Sequence, residues 1–174
     1  MDATGNTWLD AMLALVRAYP ERTAWLTALV CFAGNAVGLS LFTPSTPYLV
    51  AIGGLVAASG QSLWPVWLAA AAGAFAGDAT SYALGRWYRE GISAIWPISR
   101  FPDALGRTQL FFVRWGVWSL LAAKFSGGLR SFVPVAAGVA EMRGATFALT
   151  SAAACLIWTA LLLASGGGLA RLFL

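Results

Sequence analysis

Lys124-Phe-Ser-Gly-Gly-Leu-Arg-Ser-Phe-Val-Pro-Val-Ala-Ala-Gly138 places two cations, Lys124 and Arg130, inside some of the most apolar sequence of a 174-residue chain. The same stretch carries Gly127, Gly128, Pro134 and Gly138, which interrupt a continuous helix. A cation at membrane depth costs roughly 2.5–3.5 kcal/mol on insertion scales and persists where it faces a cavity, a partner or a substrate. Broken backbone at that depth is tolerated only where protein or water covers it. The stretch therefore reads as half of a transport site.

The rest of the chain fits a membrane setting. It is 59% hydrophobic and 10% charged, with mean hydropathy +0.73, whereas soluble domains carry about 25% charged residues. Nine tryptophans suit membrane interfaces. The net charge of +4 reports cytoplasmic flanks and anionic headgroups. No solvated basic stripe stands apart from the apolar segments, which argues against nucleic acid as a partner. The chain has no histidine, and its two cysteines, Cys31 and Cys155, are far apart in apolar spans. That argues against a metal or haem site, so no metal and no cofactor is expected. The thiols read as buried small hydrophobes. The start of the sequence lacks the basic region of a signal peptide.

Working outward, a single membrane domain, 1–174, is expected, all-α and built from two similar halves. Residues 1–22 read as an interfacial amphipathic helix that Pro20 ends. The first half, 23–85, begins with a span over 23–43. Pro44 and Pro47 then break the helix, and the apolar run that follows is too short to cross, so a re-entrant hairpin is expected near 41–60. A full Ala/Gly-rich span covers 63–85 and contains Asp78. Residues 86–109 are a basic, partly amphipathic connector on the cytoplasmic side. The second half, 110–174, holds a re-entrant hairpin near 124–143, broken at Pro134 and Gly138, and a last span over 145–164.

A weak internal repeat supports the two halves. A shift of 84 residues superposes Gly54 on Gly138 and Gly60 on Gly144, and sets Thr46 against Arg130 and Ser40 against Lys124. Paired, interrupted apolar segments in two halves are a sequence pointer to a transporter's binding site.

These motifs resemble the DedA family, also called VTT-domain or SNARE-associated Golgi proteins. The run Gly77-Asp78-x-x-x-Tyr82-x-x-Gly85-Arg86 resembles the family's G-D-x-x-x-Y-x-x-G-R. The run Lys124-Phe125-Ser126-Gly127-Gly128-Leu129-Arg130 is similar to its R-F-x-P-G-x-R. Pro134, Gly138, Met142 and Phe147 follow its downstream pattern, and Asn35-Ala36 and Pro44-Ser45 resemble its E-N-A and P-S-E elements. The resemblance covers roughly residues 30–165. It implies two re-entrant hairpins meeting in a bacterial inner membrane. It also implies transport or scrambling of lipids such as polyprenyl phosphates and phospholipids, in some members tied to the proton motive force. The chain departs from the pattern where the family's two membrane acids fall, at Gly34 and Thr46. It departs again at Lys124 and Gly127, which stand for an arginine and a proline.

Each candidate residue has two readings. Arg130 is either a phosphate-capturing fork of donors or a structural arginine paired with Asp78 or with hairpin carbonyls. Lys124 is a second phosphate charge, or snorkels to the interface. Ser45 and Thr46 sit at a hairpin tip, as anion ligands or as helix caps. Ser126, Gly127 and Gly128 complete the second tip. Asp78 is a counter-ion to Arg130 or Arg86, or a proton carrier. Asn35 is an interhelical hydrogen bond. Arg86 reads as a headgroup anchor, and the tryptophans as interfacial anchors.

The expected function is a flippase or scramblase for a phosphate-bearing lipid, not an enzyme, in an integral membrane protein. Its partners are that lipid and the bilayer, and its oligomeric state is open. The alternatives are a non-catalytic membrane scaffold and, more remotely, an enzyme acting on lipid phosphates. The latter needs a nucleophile or base that a chain without histidine supplies poorly.

Overall fold

The computed structural model describes residues 14, 16–88, 91, 117–125 and 130–173. The described part is all-helical: α1 (Pro20–Asn35), a short 3-10 turn (Leu39–Leu41), α2 (Ser45–Ser59), α3 (Trp64–Tyr88), α4 (Val117–Ala123), α5 (Phe132–Val139) and α6 (Gly144–Phe173). Most of the expected interfacial helix and of the basic connector lies outside the described residues.

The first helix is inside out relative to one in a soluble protein. On α1 the buried residues are Thr23, Thr27, Cys31, Gly34 and Asn35, at helical spacing along one face. The opposite side shows Trp25, 73% exposed, with Leu26 and Leu29. Trp87 on α3 and Leu149 on α6 are likewise 78% and 76% exposed. Lipid is the solvent for which such a surface is soluble, and small or polar residues then make the helix–helix contacts. The 25 residues Gly144–Gly168 of α6, with mean hydropathy 2.0, form the one described helix both long and apolar enough to cross a bilayer.

Two expected spans differ from what is found. The span expected over 23–43 stops at Asn35, because the chain turns at Gly38 with φ 94°, makes only the 3-10 turn and resumes an α-helix at Ser45. Only 16 helical residues remain, about 24 Å at 1.5 Å per residue. The helix expected over 63–85 is present as α3. Its 25 residues are long enough, but alanines, glycines and Asp78 make it less apolar than α6.

Pro20 and Pro44 stand at helix boundaries, as the expected breaks do, whereas Pro47 and Pro134 do not interrupt their helices. Pro20 sits at the start of α1, Pro44 is the N-cap of α2, and Pro47 and Pro134 fall in the first turns of α2 and α5. A first-turn residue has no intrahelical use for its N–H, so proline is tolerated there. Gly138 does not break α5 either, since it lies within its last turn. Just past the end of α5 the chain turns at Glu141, φ 54°, where the Met142 and Glu141 amides donate to the Ala137 and Gly138 carbonyls, both at 3.1 Å. Gly60, φ 74°, caps α2 in the left-handed region, whereas Gly144 is the first residue of α6. The Gly60/Gly144 match is therefore not one of role.

Close backbone approach fixes the packing. A Cβ on Gly77 of α3 would stand 2.6 Å from the Phe32 carbonyl oxygen of α1. Gly138 of α5 abuts the Tyr82 carbonyl of α3, and Gly166 of α6 abuts the Val50 carbonyl of α2. So α3 carries α1 and α5, α6 carries α2, and α3 and α6 also pack on each other. The polar residues that these elements bury, among them Asn35, Ser45, Asp78 and Ser151, lie in the shared interior.

Candidate functional site

Asp78 sits on the α3 face that approaches both α1 and α6. The glycine before it lets α1 come close, which delivers Asn35, while Ser151, Cys155 and Trp158 at i, i+4 and i+7 line the facing side of α6. Lys124 follows the end of α4 and is 4% exposed. Its Nζ donates to Asp78 Oδ1 at 2.9 Å and to Asn35 Oδ1 at 2.8 Å, and lies 2.7 Å from Asp78 Oδ2. The Ser151 hydroxyl donates to Asp78 Oδ2 at 2.6 Å, and the Cys155 thiol lies 3.5 Å from the same oxygen. Asn35 completes its own bonding by donating from Nδ2 to the Cys31 carbonyl at 2.7 Å. Among the described residues no buried side-chain nitrogen or oxygen lacks a partner. The result is a buried ion pair whose remaining valences are filled, the condition under which such a pair is sustained.

Arg130 is 8% exposed, just ahead of α5. Its two terminal nitrogens donate to Thr46 Oγ1 at 3.1 Å and to Ser45 Oγ at 2.9 Å, both in the first turn of α2. Neither hydroxyl caps α2, so both are free to face the guanidinium. Gly34 of α1 leaves the space that the Ser45 and Arg130 side chains occupy: a Cβ there would stand 3.5 Å from the guanidinium. The Trp158 ring lies beneath both cations, its centroid 5.2 Å from the Arg130 guanidinium carbon and 5.8 Å from Lys124 Nζ. These separations fall within cation–π range. Ser45 is fully buried and Thr46 exposed, so among the described residues the guanidinium is open on the Thr46 side.

Lys124, Asp78, Asn35, Arg130, Ser45 and Thr46 thus gather in one interior cluster. Asp78 pairs with Lys124, where Arg130 or Arg86 had been expected. Arg130 is held by hydroxyls, where a carboxylate or hairpin carbonyls had been expected. Arg86 stands apart and exposed, with its side chain on the Tyr82 hydroxyl at 3.4 Å. Ser126, Gly127 and Gly128 lie outside the described residues. Trp158 is 3% exposed, an interior residue where an interfacial anchor had been expected. It, Ser151 and Cys155 were missed as members of the cluster. Their common signal was the i, i+4, i+7 spacing on an otherwise apolar helix.

The site can hold one positive charge without a carboxylate in contact. Lys124 and Asp78 cancel, while the guanidinium of Arg130 meets only hydroxyls and a ring among the described residues. An oxyanion fits such a fork, and both hydroxyls keep a proton to donate to it.

Comparison with known proteins agrees with the motif resemblance. Residues 43–167 match the family model described as VTT domain. The chain is 26% identical over 130 residues to the inner membrane protein YabI of Escherichia coli, covering 75% of this chain and 51% of that protein. It is 19% identical over 153 residues to an uncharacterized membrane protein of Buchnera aphidicola from Schizaphis graminum, covering 88% of this chain and 60% of that one. The chain thus spans roughly half of these relatives' length. No solved structure matches it. With the family model covering most of the chain, the motifs of α3 and the Lys124–Arg130 stretch in their expected order, and an apolar exterior around a charged interior, the chain belongs to the VTT-domain family of membrane proteins.

Proposed function

We propose that the protein is a lipid transporter, a flippase or scramblase that moves a phosphate-bearing lipid between the leaflets of a bacterial inner membrane. One observation carries the reading: a buried guanidinium, Arg130, that contacts hydroxyls and an aromatic ring but no carboxylate among the described residues. An uncompensated buried cation is costly unless an anion visits it. Arg130 with Ser45 and Thr46 would hold the headgroup, while the tails stay in the bilayer beside an apolar exterior. Lys124 serves in this reading through Asp78, as the anchor that closes the neighbouring half of the site. The reading is of a transporter and not an enzyme. The hydroxyl of Ser151 and the thiol of Cys155 both face Asp78, whose carboxylate is already engaged by Lys124.

We read α2 and α5 as the inner arms of two re-entrant hairpins related by a pseudo-twofold axis. Thr46 and Arg130, 84 positions apart, are hydrogen-bonded to each other, as equivalent positions near such an axis would be. The contact of Gly138 with Tyr82 has its counterpart, under the same shift, in the approach of Gly166 to Gly54. These two correspondences support the paired halves, and a site at their meeting is where transporters of that design bind.

The test is translocation in liposomes loaded with a tail-labelled phospholipid or polyprenyl phosphate. Wild type is expected to move at least one of the two labels between leaflets, and Arg130→Gln to fall to the protein-free rate. No movement of either lipid by the wild type, with or without an imposed ion gradient, would sink the proposal.

A further inference from the structure

We infer that the site is built for one negative charge: it takes a singly charged phosphodiester headgroup of a lipid and rejects a doubly charged phosphomonoester. The inference rests on the transport reading and narrows its substrate class. Three charged side chains form the described site, Lys124, Asp78 and Arg130. The first two are in direct contact at 2.7 Å and cancel. Lys124 has no free direction toward an anion, because its ammonium also donates to Asn35 and lies over Trp158. The segment between the cations, Ser126-Gly-Gly-Leu129, carries no charge by sequence. The cluster therefore sums to one positive charge, located on Arg130.

A phosphodiester brings one negative charge and leaves the cluster neutral. A phosphomonoester above its second ionisation, near pH 6, brings almost two. Its surplus charge would sit beside Ser45 and Trp158, both buried, with no second cation free among the described residues to meet it. A buried unpaired charge is the costly case. Thr46 and Ser45 supply hydroxyl hydrogens, which stabilise a phosphate oxygen but add no charge. The headgroup enters by the exposed Thr46 side, where nothing described adds a cation.

Phosphatidic acid tests this with one molecule, because its headgroup passes from one charge to two between pH 5 and pH 8. Phosphatidylglycerol, a diester, keeps one charge throughout and reports any change in the protein itself. The chain has no histidine to titrate in that window. The measurement is displacement of a fluorescent phosphatidylglycerol from the purified full chain in maltoside micelles, at pH 5 and pH 8. Phosphatidylglycerol is expected to compete equally at both. Phosphatidic acid is expected to match it at pH 5 and to weaken by roughly tenfold or more at pH 8. Phosphatidic acid competing at pH 8 as well as at pH 5 overturns the one-charge count. Arg130→Gln separates the two claims. If it leaves competition by both lipids unchanged, the anion site of the transport reading fails. If it weakens both while the wild type still accepts the dianion, only the charge selectivity fails. A soluble arm, glycerophosphoglycerol, is expected to compete at least a hundredfold more weakly; equal competition would mean that the site serves a free phosphodiester and not a lipid.

Discussion

Removing one member of the Asp78–Lys124 pair should cost far more than removing both. At 2.7 Å and an effective dielectric constant near 20, the gross Coulomb attraction is about 6 kcal/mol. Desolvation of both ions offsets most of that, and the net worth of such a pair against apolar replacements is near zero. Lys124→Met alone leaves a buried carboxylate with only the Ser151 hydroxyl and Cys155 thiol. Asp78→Asn alone leaves a buried ammonium on the Asn35 amide. Each is expected to destabilise by about 3–5 kcal/mol. The double variant Asp78→Asn/Lys124→Met should recover most of it, giving a coupling energy of about 3 kcal/mol or more. The assay is reversible unfolding of the purified protein in mixed dodecyl maltoside and SDS micelles, followed by far-UV circular dichroism, for all four proteins of the cycle. Two additive single losses, with the double variant the least stable, would refute the claim that the ions are buried against each other.

Four further outcomes are expected. Thr46→Glu should place a carboxylate on the Arg130 guanidinium, cancel the free charge, and reduce displacement by phosphatidylglycerol at least tenfold while the melting temperature holds or rises; unchanged competition would refute the role of Arg130. Gly77→Leu should separate α1 from α3, because its Cβ alone meets the Phe32 carbonyl at 2.6 Å, and should cost about 3 kcal/mol or more in the same unfolding assay. Gly60→Ala should cost about 1 kcal/mol by straining the left-handed cap of α2, despite open space around it. Trp158→Phe should keep part of the anion affinity that Trp158→Leu loses, because the phenyl ring still offers a face to Arg130; equal losses would show packing alone.

The charged half of the site could be read from the sequence because ionisable residues are rare in apolar segments and advertise themselves there. Arg130, Lys124 and Asp78 stood out for that reason, and the hydroxyls of Ser45 and Thr46 stood out beside two prolines. Which cation takes the carboxylate could not be read. Lys124 and Arg130 lie six positions apart, and only the three-dimensional approach of α4, α3 and α1 decides between them. Trp158, Ser151 and Cys155 were hidden for another reason: single residues of these types within α6 read as packing until a charged partner is known to face them. The early end of α1 at Asn35 was also obscure. Ala36-Val37-Gly38 contains no proline, and a lone glycine in an apolar run marks a turn only weakly. The alanine and glycine content of α3 did predict close contact, and Gly77 and Gly73 are where α1 rests.

The apolarity of α6 bears on how the chain enters the membrane. A segment of mean hydropathy 2.0 is long and apolar enough to cross a bilayer. The helices α1 and α3 do not have that apolarity: α1 carries Thr23, Thr27 and Asn35, and α3 carries Asp78. The groups that satisfy Asp78, the Lys124 ammonium and the Ser151 hydroxyl, emerge from the ribosome after α3 does. The early helices therefore reach the translocation machinery before their partners exist, and settle only when α6 arrives to receive them. Insertion is therefore expected to be a delayed, cooperative event in which the later half of the chain captures the earlier. A nascent chain arrested ahead of α6 is expected to be alkali-extractable and protease-sensitive, and one extended through Ser151 and Trp158 to be neither.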